Sequence, residues 1–184
     1  MRKEFFLKSK NFANVILKTA EEKDCENLRQ WKNAHRSLFF FQDIISSDQQ
    51  QKWFQEYLER QNDYMFMVVY KFIPIGCMGF RLINGEADIY NVILGRPAMG
   101  GKGLMSHALR LMCSYIHSEW TPQIALKVLK TNPAVKWYKM NHFEESASQP
   151  GFLQLRLNIK NFKFCEWEKT NGNLSNTPKI GRPS

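Results

Sequence analysis

Gly100-Gly101-Lys102-Gly103 stands directly ahead of an apolar run that begins at Leu104. Glycines let backbone amides come close to an anion, and a helix starting at Leu104 would add the positive end of its dipole. Each charge-assisted amide contact is worth about 1.5–3 kcal/mol, so several together can hold a pyrophosphate without a fixed cation. A flexible loop before a helix would read the same way. Spacing excludes two nucleotide sites, because neither GxxxxGK[ST] nor GxGxxG with a downstream acidic residue is present. Asn132-Pro133 suits a helix N-cap followed by proline at the first helical position. Tyr138 falls on the face of that helix that carries Ala134, as a half-buried aromatic would. Asp88 is the carboxylate best placed for proton chemistry on a central strand. Asn84-Gly85, a type I′ hairpin signal, sets Ile83 opposite Glu86, Leu82 opposite Ala87 and Arg81 opposite Asp88, so a cross-strand ion pair is the alternative for Asp88. Asn91 lies deeper in the same strand among apolar neighbours, where an unpaired amide is costly; it is expected to face a polar groove and to orient a water. His35 and His142 have no partner in the pattern and are read as structural. Cys25, Cys77, Cys113 and Cys165 are spaced singly, without CxxC or histidine at zinc spacing, so neither a metal site nor a disulfide framework is expected.

These residues need a scaffold, and the pattern supplies an α/β one. Residues 15–18 read as a strand, and 23–32 as a helix with Cys25, Leu28 and Trp31 on its apolar side. A second helix, 48–60, opens on Ser47 with Gln50 three residues later, a capping box; Trp53, Phe54, Tyr57 and Leu58 are its core or groove-lining face. Strands follow at 64–70, 75–83 and 87–94. The glycine loop 95–103 leads to a helix over 104–117, with Leu104, Ala108, Leu111, Met112 and Tyr115 on one stripe. A strand at 124–129, a short helix at 133–140 and an alternating strand at 152–159 beside Pro150-Gly151 complete the domain. The chain reads as one domain over 1–168 and a polar, disordered tail over 169–184. No internal repeat is present.

The element order and two motifs resemble the GNAT superfamily of N-acetyltransferases, of the RimJ/RimL-like kind. Gly100-Gly101-Lys102-Gly103-Leu104-Met105 stands where that family has [Q/R]xxGx[G/A], and Asn132-Pro133-Ala134-Val135-Lys136-Trp137-Tyr138 where it has Asn-x-x-Ala-x-x-x-Tyr. Asn141-His142-Phe143 takes the place of Asn-Gly-Phe, and the resemblance spans residues 15–143. Gly100 departs from the usual Gln or Arg, which removes a side chain but no amide. Met105 departs from Gly or Ala, which puts a bulky residue at the start of the helix and is expected to shift the cofactor slightly or alter its affinity. The resemblance implies a mixed central sheet of about six or seven strands with about four helices. It implies acetyl-CoA as cosubstrate, contacted by Ile93, Leu94, Gly100, Gly101, Lys102, Gly103, Leu104, Met105 and Asn132, and no metal. It makes Tyr138 the general acid: a phenol of pKa about 10 can protonate a thiolate whose thiol titrates at about 8.5 when both sit in a dry groove. Asp88 and Asn91 are the remaining catalytic candidates.

Composition narrows the partners. The 184 residues are 43% hydrophobic, 14% aromatic and 23% charged, enough for one full core. The longest apolar stretch, 65–80, is broken by Lys71 and Pro74, and the start lacks a secretory pattern, so a cytoplasmic location and no membrane partner are expected. The net charge of +9 suggests an anionic ligand, yet the basic residues are dispersed rather than gathered into an arm, which argues against nucleic acid. A lysine acceptor costs about 4–5 kcal/mol to neutralise at pH 7, and a sugar amine much less. Leu28-Arg29-Gln30-Trp31-Lys32-Asn33 and Arg36, ahead of Phe39-Phe40-Phe41, look like the acceptor half of the branch that modifies nucleotide-linked amino sugars for surface polysaccharides. The acceptor expected is therefore a small-molecule amine, first a nucleotide sugar, and a homodimer is allowed. The alternatives are a protein N-terminal or small-molecule amine acetyltransferase and, in another class, a non-catalytic CoA-binding or basic nucleic-acid-binding module.

Overall fold

In chain order the elements are β1 (Phe5–Ser9), β2 (Val15–Thr19), α1 (Cys25–Ala34), α2 (Ser47–Glu59), β3 (Asp63–Tyr70), β4 (Ile73–Ile83) and β5 (Glu86–Leu94). They continue with α3 (Leu104–Glu119), β6 (Ile124–Leu129), α4 (Ala134–Met140), β7 (Phe143–Gln149), β8 (Phe152–Leu157) and β9 (Trp167–Asn171). The computed structural model describes residues 4–12 and 14–172. One sheet of nine strands runs β7-β8-β6-β5-β4-β3-β2-β1-β9, and its parallel pair is β5 with β6.

Each face of the sheet has its own core. Alternate residues Phe66, Val68, Met78, Phe80, Ala87 and Ile89 turn towards α3, whose stripe buries Ala108, Leu111, Met112 and Tyr115. The intervening residues Met65, Met67, Cys77 and Ile93 turn to the other face, beneath Leu28 and Trp31 of α1 and Phe54 and Tyr57 of α2. The second core reaches from β1 to β5 only. Asn84 (φ 51°) and Gly85 (φ 80°) make the expected hairpin, and Arg81, Leu82 and Ile83 pair with Asp88, Ala87 and Glu86.

The sheet is wider than expected by its edges. β1 was hidden between lysines, β7 is almost wholly polar, and β9 lies mostly in what reads as a tail. Lys169, Thr170 and Asn171 pair with Leu7, Phe6 and Phe5. The edge strands β7 and β9 hold by backbone hydrogen bonds while much of their side-chain surface stays wet, whereas β1, between β2 and β9, buries Phe5, Phe6 and Leu7 on both faces, so in neither case does alternation betray the strand. Residues 173–184, the rest of that tail, lie outside the described residues. The cap of α2 also moves by one residue: Ser46 accepts from Gln49 N at 3.2 Å, and Gln49 Oε1 accepts from Ser46 N at 2.8 Å. Both serines fit the capping pattern, and the loop's exit decides between them.

Candidate active site

Gly95 lets the chain leave β5 beneath α1; a Cβ there would stand 2.1 Å from the Trp31 indole. After a 3-10 turn at Pro97–Met99, Gly101 (φ 72°) and Gly103 (φ 71°) take left-handed backbone, which a side chain would strain. Gly103 is the N-cap of α3 and offers no capping side chain. The first bond into the helix is His107 N to Gly103 O at 3.0 Å, so the amides of Leu104, Met105 and Ser106 have no intrahelical acceptor. The dipole of a sixteen-residue helix ends here with its donors open. That arrangement fits a pyrophosphate. The Met105 side chain at the start of the helix is partly buried, with its sulfur close to Gly76 of β4.

Beside this loop the sheet opens. β5 and β6 pair at Ala87↔Ile124, Asp88↔Ala125 and Ile89↔Leu126, and there the ladder stops. Residues 90–94 of β5 therefore present backbone groups to a gap rather than to β6, and buried peptide groups need partners. A bulge marks the start of the gap. Gly79 pairs with Tyr90 and Cys77 with Ile93, so Asn91 and Val92 together oppose Met78. Asn91 sits at φ 49°, a left-handed conformation that costs a non-glycine residue energy and is found at functional sites. Such a slot, with extended backbone on its walls and phosphate donors at its mouth, fits the amide-rich arm and the pyrophosphate of acetyl-CoA.

On the α1–α2 side of the bulge lies a cavity of about 250 Å³, and Asn91 is in its wall. Lys32 of α1 donates from Nζ to Asn91 Oδ1 at 2.6 Å, and the same ammonium stands 3.3 Å from the centre of the Phe39 ring. Burial lowers the Lys32 ammonium to about 8, the Cys77 thiol(ate) working weakly the other way. The Cys77 thiol, pushed up to about 12 by burial, donates to Asn91 O at 3.4 Å. Gln49 and Gln50 complete the polar set; Gln50 is 6% exposed, and its side chain has no hydrogen-bond partner among the described residues. Trp53, Phe41, Leu28 and Ile93 make the rest apolar. The sequence places Lys32 in the acceptor half without giving it a role of its own. The capping pattern assigned Gln50 to the helix cap, and the true register releases it.

The segment between α1 and α2 arches over this region. Asn33 holds it by both backbone groups of one residue, donating to Ile45 O and accepting from Ile45 N at 2.9 Å each. Leu38 O accepts from Asn132 Nδ2 at 3.0 Å, and Phe40 meets Phe152 of β8 edge to face. Asn132 is also bonded to α4, but Pro133 rather than Asn132 takes the N-cap position: Asn132 Oδ1 accepts from Ala134 N at 2.9 Å. One amide hydrogen and one lone pair remain for a ligand.

Tyr138 is 7% exposed, packed edge to face on Trp137 and Phe143. Its hydroxyl has no hydrogen-bond partner among the described residues, and burial raises its pKa, so the phenol keeps its proton. Asp88 is half-buried, with its carboxyl pushed up by burial and drawn back partly by Lys127 and Arg81. The expected ion pair is not made: Arg81 Nε binds Asp63 Oδ2 at 3.0 Å, and Asp63 also receives Tyr90 and Arg60. Asp63 wins because it is buried and faces Arg81 across β3. Asp88 lines a separate cavity of about 300 Å³ with Lys127 and Gln154, and no residue is shared with the cavity of Asn91. His35 Nδ1 contacts Trp31 O at 2.9 Å. His142 takes the left-handed turn (φ 65°) that a glycine would occupy.

Residues 14–136 match the family described as acetyltransferase (GNAT) domain. No curated protein sequence matches. Among solved structures, the RimL ribosomal L7/L12 alpha-N-protein acetyltransferase in complex with CoA superposes with a TM-score of 0.65 at 18% identity, over 78% of this chain and 92% of that one. FdhC, a nucleotide-linked sugar GNAT, gives 0.66 at 16% identity, over 78% and 86%. The spermidine N-acetyltransferase from Vibrio cholerae in complex with CoA and spermine gives 0.66 at 19% identity, over 78% and 92%. These likenesses establish a shared fold across proteins whose acceptors are a peptide, a sugar and a polyamine.

Proposed function

The chain belongs to the acetyltransferase (GNAT) family and is an acyltransferase, and from that premise we propose that it moves the acetyl group of acetyl-CoA to the amine of a nucleotide-linked amino sugar. The carrying observation is the opened β5/β6 pair with Asn91 at its bulge, the glycine loop on one side and the cavity on the other. The amides of Gly101, Gly103 and the first turn of α3 hold the pyrophosphate, and the backbone of Ile93 and Leu94 binds the pantetheine arm. An amide at the bulge polarises the thioester carbonyl, and Tyr138 gives its proton to the departing sulfur. Asp88, apart from the Asn91 cavity, is left outside the reacting end. We place the protein in the cytoplasm, where acetyl-CoA is made available to such enzymes.

The choice among amines rests on charge. No carboxylate is among the residues that line the Asn91 cavity, and a polyamine brought there would meet Lys32 without a counter-charge. An amino sugar brings a low-pKa amine, and its pyrophosphate suits a chain of net charge +9. A protein N-terminus, also of low pKa, is the second reading. Incubation with acetyl-CoA and a panel of UDP-linked amino sugars, N-terminal peptides and spermidine, read by product mass spectrometry, tests this. Acetylated nucleotide sugar is expected. Exclusive acetylation of spermidine or of a peptide would overturn the acceptor class while leaving the reaction type in place.

A further inference from the structure

We propose that Lys32 is the group that takes the proton from the acceptor amine as it attacks the acetyl carbon. The inference rests on the acetyl-transfer reading above and names a residue of that same site. The amine has to arrive at the bulge, because that is where the opened strand meets the cavity. Lys32 Nζ is already there, 2.6 Å from the side-chain oxygen of Asn91. Its position is fixed from three sides: Asn91 accepts its hydrogen bond, Phe39 covers it with a ring face, and α1 is held to the overlying segment through Asn33 and Ile45.

What makes this lysine a proton acceptor is that no anion among the described residues lining the cavity holds its charge. Its own helix carries Arg29, bound to Glu26, and the turn that follows carries Arg36, which donates to Asn33 O. α2 offers Gln49, Gln50 and Trp53 to the cavity, all uncharged, and β5 offers Asn91. β4 offers Cys77, whose raised thiol is neutral and is bonded to Asn91 O. A buried ammonium with a neutral amide oxygen and a ring for company gives up its proton more readily than a solvated one, which agrees with the lowering to about 8. The Gln50 side chain lines the same cavity and makes no hydrogen bond among the described residues, which leaves its amide free to bond a polar ligand there.

The step balances. The amine nitrogen forms a bond to the acetyl carbon while the carbon–sulfur bond breaks. One amine proton passes to the neutral Nζ of Lys32, and the Tyr138 hydroxyl proton passes to the sulfur. Water then takes a proton from Lys32 and returns one to Tyr138.

Two measurements on the full chain test the assignment. Trace labelling with acetic anhydride from pH 6 to 10, read by peptide mass spectrometry, should show Lys32 half-reactive near pH 8; titration with the other lysines near 10.4 would overturn the proposal. Next, kcat/KM for acetyl transfer to a UDP-linked amino sugar is compared between the parent and Lys32→Met. Their ratio cancels the acceptor's own ionisation. It should climb to about 100-fold with its half-point near pH 8, while acetyl-CoA affinity and Tm stay at parent values. A ratio that does not change with pH assigns Lys32 to packing alone. Lys32→Arg keeps the charge without a usable lone pair and should be as slow as Lys32→Met; near-parent turnover would make Lys32 an electrostatic group and end its role as base. Failure of the parent to acetylate any amine tells against the acetyl-transfer reading, whereas transfer with a flat ratio tells against Lys32 alone.

Discussion

The glycine loop and the cavity of Lys32 lie towards opposite faces of the opened sheet and are made of different things. Backbone does the work in the loop: two left-handed glycines and the open amides of α3, contributed by one short stretch of chain. Side chains do it in the cavity, and they come from α1, the segment after it, α2, β3, β4 and β5. A site made of amides would tolerate changes that spare the backbone, such as Gly100 where Gln or Arg is usual. A site of side chains can be retuned by one substitution. The difference implies that the donor end is common to such folds while the acceptor end sets what each protein modifies.

That contrast can be broken at its junction first. Tyr138→Phe keeps the ring and deletes the hydroxyl, so kcat should fall by about 10²–10⁴-fold with acetyl-CoA affinity unchanged. Near-parent kcat, measured where chemistry limits the rate, would reduce Tyr138 to a core aromatic. A smaller effect should separate the two ends. Gly101→Val and Gly103→Val place a β-branched residue at φ 72° and 71°, and should each weaken acetyl-CoA binding about tenfold, or about 1.4 kcal/mol. Calorimetric titration checks this; equal affinity in both folded variants would remove the loop from the donor site. Smallest is the change that loosens one end from the other. Asn132→Ala loses the bond to Ala134 N and the tether to Leu38 O, and should cost about 1 kcal/mol of stability. Denaturant unfolding reads that cost. The KM for the acceptor should rise more than that for acetyl-CoA, and an equal rise in both would show that the tether does not serve the acceptor segment.

The sequence by itself determined the frame. Asn84-Gly85 set the β4–β5 register without help, because a type I′ turn leaves only one pairing. The glycine run and the stripe of α3 located the loop and its helix, since both signals are local. Tertiary structure decided the rest. The bulge at Asn91 arises from how β4 and β5 pair, and nothing in Asn91's own neighbours announces positive φ. Arg81 chose Asp63 over Asp88 because β3 brings a buried carboxylate to its other side. Lys32 falls in the acceptor half by sequence, but its burial and partner emerge only when β5 places an amide against it and Phe39 covers it. Gln50 was hidden by a cap that could close on Ser46 or Ser47. Periodicity and turns report interactions within a few residues; burial, charge pairing and pKa depend on segments that sequence separation keeps apart.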